Sequence, residues 1–200
     1  MSSKKAPAGP EPSPEWTSRR REILKAAAEV FFVQGFERGT TKEIAHKVGM
    51  SQPNLYHYVG SKQDLMNEIA LQVAQDFIDA LNASLKSTAD PAEQLNRLID
   101  GFVATLLEDQ RIFAVYWKEY RALPKDVAHK VLAEERRYIA RVEEVVTRAQ
   151  KEGVLPSDRP AHLVSEGILG MMSWTYWWYH PGQYTAAEIS GCYRAMLGLT

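Results

Sequence analysis

The chain has 200 residues, 45% of them hydrophobic and 10% aromatic, with a formal net charge of −1. That is enough apolar material for a sizeable core, and it excludes a globally disordered chain or a wholly basic nucleic-acid coat. The charge is unevenly spread: residues 17–65 hold 8 Lys/Arg against 5 Asp/Glu, so they carry +3 and the remainder −4, a balance suited to meeting phosphate at one end only.

Residues 1–16 bring Pro7, Pro10, Pro12 and Pro14 together with Ser, Ala and Lys, which predicts a disordered arm. Helices follow, with clear punctuation. The first spans 18–34, with Ile23, Leu24, Ala27, Ala28, Phe31 and Phe32 as its apolar stripe and Gly35 as its stop. Short helices are predicted over 41–48 and 52–58, separated by Gly49. Ser61 and Asp64 form an N-cap pattern for a long helix to about Lys86. Asp90 and Pro91 open the next, an aromatic helix surrounds Phe113, Tyr116, Trp117 and Tyr120, and Pro124 precedes a long helix ending at Gly153. Asp158 and Pro160 open the eighth, which stops before Pro181 and Gly182; Thr185 and Glu188 cap the last. No alternating strand pattern appears. The predicted fold class is all-α, about nine helices: an N-terminal three-helix helix-turn-helix domain over 17–66 and a C-terminal helical ligand-binding and dimerisation domain over 67–200.

Cys192 is the sole cysteine, so one chain builds neither a disulfide framework nor a Cys-ligated zinc site, and a reducing cytoplasm is the expected compartment. The first residues lack the apolar run of a secretory signal. Residues 167–187 carry no Asp, Glu, Lys or Arg. His180, Pro181 and Gly182 interrupt that stretch and leave it too short to cross a bilayer, so it is predicted to be a buried helix, with no membrane as partner.

Residues 40–58 carry the chemistry. Ile44, Ala45, Val48 and Leu55 can form the small core between two short helices, and Gly49 permits the tight turn joining them. Ser51 can cap the second helix, with Pro53 tolerated in its first turn. That is helix-turn-helix geometry, in which the second helix enters the major groove by its N-terminal part. Gln52, Asn54 and His57 fall on its exposed face, where Asn and Gln can read adenine through paired hydrogen bonds. The series Thr41, Ile44, Ala45, Gly49, Met50, Ser51, Leu55, Tyr56, His57, Tyr58, Val59, Gly60, Ser61, Lys62 and Leu65 resembles the signature of the TetR repressor family. The resemblance covers about residues 18–66. It implies that Thr41 and Tyr56 hold phosphates and that Lys62 meets the DNA backbone. The family usually has Phe where Val59 stands. The DNA-contacting set is thus Thr40, Thr41, Ser51, Gln52, Asn54, Tyr56, His57 and Lys62, acting on double-stranded operator DNA.

A short reading domain gains affinity by binding two half-sites as a symmetric homodimer. The last two helices are the candidate interface: Gly167 and Gly170 allow close approach, and Ile189, Tyr193, Met196 and Leu197 supply an apolar face. For a small-molecule effector, Phe102, Leu106, Tyr116, Trp117, Tyr120, Met171, Trp174 and Trp178 supply bulky, partly polar cavity walls. Arg121, Arg137 and Arg141 lie near them in sequence or along the seventh helix. The string from Trp174 through Trp177, Trp178, Tyr179 and His180 to Gly182 resembles a segment in TetR-like regulators of fatty-acid, phenylacetate or sterol-ring degradation, with His180 replacing an Arg. That resemblance implies an acyl-CoA effector; a non-CoA hydrophobic or aromatic molecule is the alternative. An enzyme is disfavoured: there is no nucleophile elbow, P-loop or dinucleotide fingerprint, and His46, His57, His129, His162 and His180 lack metal-ligand spacing. No cofactor and no metal are called for.

Overall fold

Helix α1 (Pro14–Gln34) begins where Ser13 accepts the Trp16 amide at 3.2 Å and Pro14 takes the first position, where a missing N–H is harmless. The computed structural model describes residues 13–199. Residues 14–16, expected to close a disordered arm, are therefore helical. The Ser13 cap and the Trp16 ring stacked on Tyr58 at 6.1 Å hold them. The rest of the expected arm lies outside the described residues. At the far end Gly35, with φ +82°, turns the chain and donates its N–H to Phe31 O at 2.8 Å.

The remaining helices are α2 (Thr41–Lys47), α3 (Gln52–Tyr58), α4 (Lys62–Lys86), α5 (Pro91–Glu108), α6 (Gln110–Glu119), α7 (Lys125–Lys151), α8 (Ala161–Ser173), α9 (Thr175–Trp178) and α10 (Ala186–Met196). No strand occurs among the described residues. Helix α9 is a single turn following α8 across Trp174, so the predicted eighth helix is present but broken. Counted as one, they give nine helices among the described residues, the number the pattern predicts. The chain divides into two compact units, Met1–Leu65 and Met66–Thr200.

In the first unit, α1 packs on α2 and α2 on α3, around the fully buried Ile23, Phe31, Ile44 and Leu55. Val59 is buried too, so the branched residue fills a core site where the family usually places an aromatic ring.

In the second unit, α5 is central, touching α7, α8 and α10. Gln94 reaches back from it to donate to Leu85 O (3.0 Å) and Thr88 O (2.7 Å), tying down the turn between α4 and α5. A Cβ at Gly101 would sit 3.2 Å from Ser84 Oγ, so glycine lets these helices approach closely. The Thr185–Glu188 capping box opens α10 as predicted.

Residues 167–187 are not the buried helix the composition implied. Ile168, Leu169, Met172 and Thr175 face the interior, while Gly167, Gly170, Trp174 and Trp177 are exposed. Absence of charge does not distinguish a core from a face awaiting a partner.

Candidate DNA interface and effector cavity

The turn between α2 and α3 is built from backbone. Gly49 takes φ +68°, which a side chain rarely adopts, and Met50 N–H donates to Ala45 O at 2.9 Å. Ala45 is buried where the two helices meet. Thr40 caps α2 reciprocally: its hydroxyl accepts the Glu43 amide at 3.2 Å, and Glu43 accepts the Thr40 amide at 3.0 Å. A hydrogen bond from the Gln34 side chain, then those from Thr40, hold the Glu43 carboxyl below its usual value.

Ser51 accepts the Asn54 amide and so caps α3. Asn54 and His57 are exposed, as helical periodicity predicts, and Tyr56 is exposed as well, while Gln52 is half-buried. They differ in what their polar atoms meet. Thr41 is buried, its hydroxyl 3.1 Å from the Tyr56 hydroxyl and accepting from Gln52 Nε2 at 2.9 Å. Thr41, Tyr56 and Gln52 thus form a network that sets α3 against the start of α2. Gln52, predicted to face base edges, is engaged here with Thr41.

Lys62 departs further from expectation. Its ammonium donates to Phe36 O (2.7 Å), Glu37 O (3.0 Å) and Gly39 O (3.1 Å) and lies 4.6 Å from the Phe36 ring centroid. An ammonium has three protons, and all are committed to the loop after α1. In place of the predicted phosphate contact the ammonium here clamps the loop, whose carbonyls lie outside any helix and need donors.

The sequence reading missed the groove beside Asn54 and His57, which Trp16, Arg19, His46 and Met50 help to line. Arg19 donates to Val48 O at 2.7 Å and pairs with Glu22 at 2.6 Å. The signal was visible: Arg19, Arg20 and Arg21 form a basic run at the start of the first helix.

A cavity of about 360 Å³ lies in the second unit, walled by α4 to α9. Phe102, Tyr116, Trp117 and Trp174 line it, as expected. Around Phe113 the rings of Phe77, Trp117 and Tyr176 stand at centroid distances of 5.4, 6.1 and 5.5 Å. Gln110 anchors the far wall by donating to Tyr176 O and Tyr179 O, each at 2.9 Å.

The other seven expected cavity residues lie elsewhere. Leu106 is fully buried core. Met171 is half-buried off the wall, and Trp178 hydrogen-bonds Tyr193. Tyr120 and Arg121 line an adjoining groove with Lys118, which shares Tyr116, Trp117 and Glu135 with the cavity. Arg137 pairs with Glu134 at 2.6 Å in solvent, and Arg141 donates to Asn82. None of the three arginines reaches the wall, and among the described residues no Lys or Arg lines the cavity.

Instead it carries Glu134, Glu135 and Glu166. Tyr116 donates to Glu135; burial first, then this bond, holds the phenol protonated far above its ordinary value. The sequence reading also missed Phe77 and Ile78 on α4, and Tyr138 and Ile139 on α7. No local pattern marks them as lining a space. Among the described residues no His, Cys, Asp or Glu cluster fit for a metal occurs, and no helix is long and apolar enough to cross a membrane.

A helix-turn-helix head joined to an all-helical unit is the architecture of a DNA-binding transcriptional regulator. The family profile of bacterial regulatory proteins of the tetR family matches residues 23–69, and that of the tetracyclin repressor-like C-terminal domain matches 88–198. The chain belongs to the TetR family. The HTH-type transcriptional repressor KstR2 of Mycobacterium tuberculosis (strain H37Rv) is 26% identical, over 90% of this chain and 91% of the relative. The TetR family regulator PfmR of Thermus thermophilus superposes with a TM-score of 0.80 at 26% identity, over 88% of this chain and 96% of that one. AibR, solved with isovaleryl coenzyme A and operator DNA, superposes with a TM-score of 0.77 at 23% identity, over 91% of this chain and all of its own.

Proposed function

We propose that this chain is a ligand-responsive repressor that binds operator DNA as a homodimer and is released by an acyl-CoA thioester. The observation that carries the reading is an apolar, aromatic-walled cavity in a chain whose other unit is a DNA-reading head. Such a cavity suits a greasy chain with few polar groups. Lys118 and Arg121, in the groove that shares a wall with it, suit the phosphates of CoA better than the committed Arg137 and Arg141. KstR2 is named a repressor, and AibR gives a precedent for this fold holding a CoA thioester and an operator.

Asn54 and His57 are the residues proposed to read bases, with Thr40 and Ser51 capping the starts of α2 and α3 and Tyr56 farther along α3. The proposed dimer face shifts from the expected one. Ile189 and Tyr193 are buried within the chain on the α5 side, whereas Leu163 and Gly167 of α8, Gly170 and Trp174 at the cavity wall, and Met196 of α10, 68% exposed, are apolar and open to a partner. Nothing lies within 4 Å of a Cβ built at Gly167 or Gly170, which leaves room for a second helix.

The three carboxylates on the cavity wall favour a second reading, an uncharged hydrophobic or aromatic effector without CoA. An operator gel shift titrated with CoA thioesters, their free acids and uncharged aromatics separates the two. The acyl-CoA reading expects release by the thioester alone, and Trp117→Ala, at a half-exposed wall position, should weaken that response about tenfold. Release by an uncharged aromatic with no CoA response would favour the second.

A further inference from the structure

Two tyrosines on the cavity wall, Tyr138 and Tyr176, have no partner for the hydroxyl among the described residues, and burial raises the pKa of Tyr138 the further. Tyr116 donates to Glu135, and Tyr193 lies 2.6 Å from the Thr175 hydroxyl. Tyr138 lines the cavity from α7, its ring edge-on to Phe102 at 6.5 Å. Among the described residues its hydroxyl has no hydrogen-bond partner, and burial alone raises its pKa. The phenol stays protonated at neutral pH, a donor with no acceptor among the described residues. Tyr138 is half-buried and faces the cavity, so its hydroxyl is open to whatever occupies that space.

The charges around it limit what can answer. Glu134, Glu135 and Glu166 share the wall, each with its own partner: Arg137, Tyr116 and, at 4.0 Å, His162. A ligand carboxylate would shed its water facing three like charges, with no lining Lys or Arg to receive it. An uncharged carbonyl oxygen accepts a hydrogen bond without that cost.

We infer that Tyr138 is a specificity-determining residue of the effector site, donating its hydroxyl proton to a neutral ligand carbonyl and so selecting thioesters, esters or ketones over free acids. This rests on the effector reading above and adds to it the means by which the cavity tells a thioester from its acid. The discrimination is one-sided. A carbonyl satisfies the phenol, whereas a ligand of equal shape without one leaves it unsatisfied.

Calorimetry on the full-length chain tests this with hexanoyl-CoA and its thioether S-hexyl-CoA, which lacks only the carbonyl oxygen. The uncharged pair S-ethyl hexanethioate and ethyl hexyl sulfide repeats the comparison without CoA. Hexanoyl-CoA should bind about tenfold more tightly than the thioether, one buried hydrogen bond's worth. Tyr138→Phe should bring the two to parity without lowering the unfolding midpoint, since it removes no bond within the chain. Parity in the unmodified protein, or a preference that survives Tyr138→Phe, overturns the inference. If both CoA compounds fail but the uncharged pair shows a Tyr138-dependent preference, the carbonyl inference stands and the acyl-CoA reading falls. No binding of either thioester overturns both.

Discussion

The head and the cavity are held together over very different distances along the chain. In the head, the capping bonds of Thr40 and Ser51 and the Gly49 turn close over three to five residues. The cavity instead draws its walls from Val73 to Tyr176, on helices that meet only after the second unit has folded. A DNA-reading surface must present a fixed helix to a rigid groove, and local bonds give that rigidity cheaply. A cavity requires side chains that leave space unfilled, and emptiness has no local code.

If this contrast holds, damage to the head should be severe and confined to DNA binding. Leu55→Ala, at a fully buried site between the short helices, should cost about 2–5 kcal/mol. Operator binding in a gel shift should vanish while calorimetric ligand binding persists. Loss of both would mean the two functions do not separate as their construction implies.

The clamp made by Lys62 permits a sharper distinction. Lys62→Ala should weaken operator binding by destabilising the head by about 1–3 kcal/mol, the scale of charged hydrogen bonds. The slope of log affinity against log salt should stay unchanged. A slope shallower by about 0.9 would identify the ammonium as a phosphate contact after all. Asn54→Ala, at an exposed position with no structural duty for its side chain in α3, should instead alter preference at one base pair by about 1–3 kcal/mol.

The smallest effect is a pH dependence of the head. The folded-state pKa of Glu43 is lowered, by Gln34 and then Thr40. Its contribution to stability is therefore fully present above the ordinary carboxylate value of 4.5 and is lost as pH falls through the depressed folded value. Because the group is exposed, the change should be slight. Followed by circular dichroism, Glu43→Gln should unfold slightly more readily than the unmodified chain at neutral pH, and that gap should close as pH falls. No gap at neutral pH would mean that the cap contributes nothing measurable.

The sequence by itself determined the all-α class, the boundaries of α3 and α4, the turn at Gly49 and the exposure of Asn54 and His57. Each follows from periodicity, capping or a glycine at positive φ, interactions that span a few residues and survive reading one residue at a time. The start of α1 was legible too, in Ser13 and Pro14, but the prolines before them outweighed that cap. Only tertiary structure decided where long side chains end. Lys62 reaches the loop after α1, Gln52 turns to Thr41, and Arg141 meets Asn82, 59 residues away. It also decided that Ile189 and Tyr193 face inward while Leu163 and Trp174 do not, since an apolar residue is equally at home in a core and on a partner-ready surface. Periodicity reports which residues share a helix face; which neighbour covers that face, and whether a space is left between them, depends on how the helices pack.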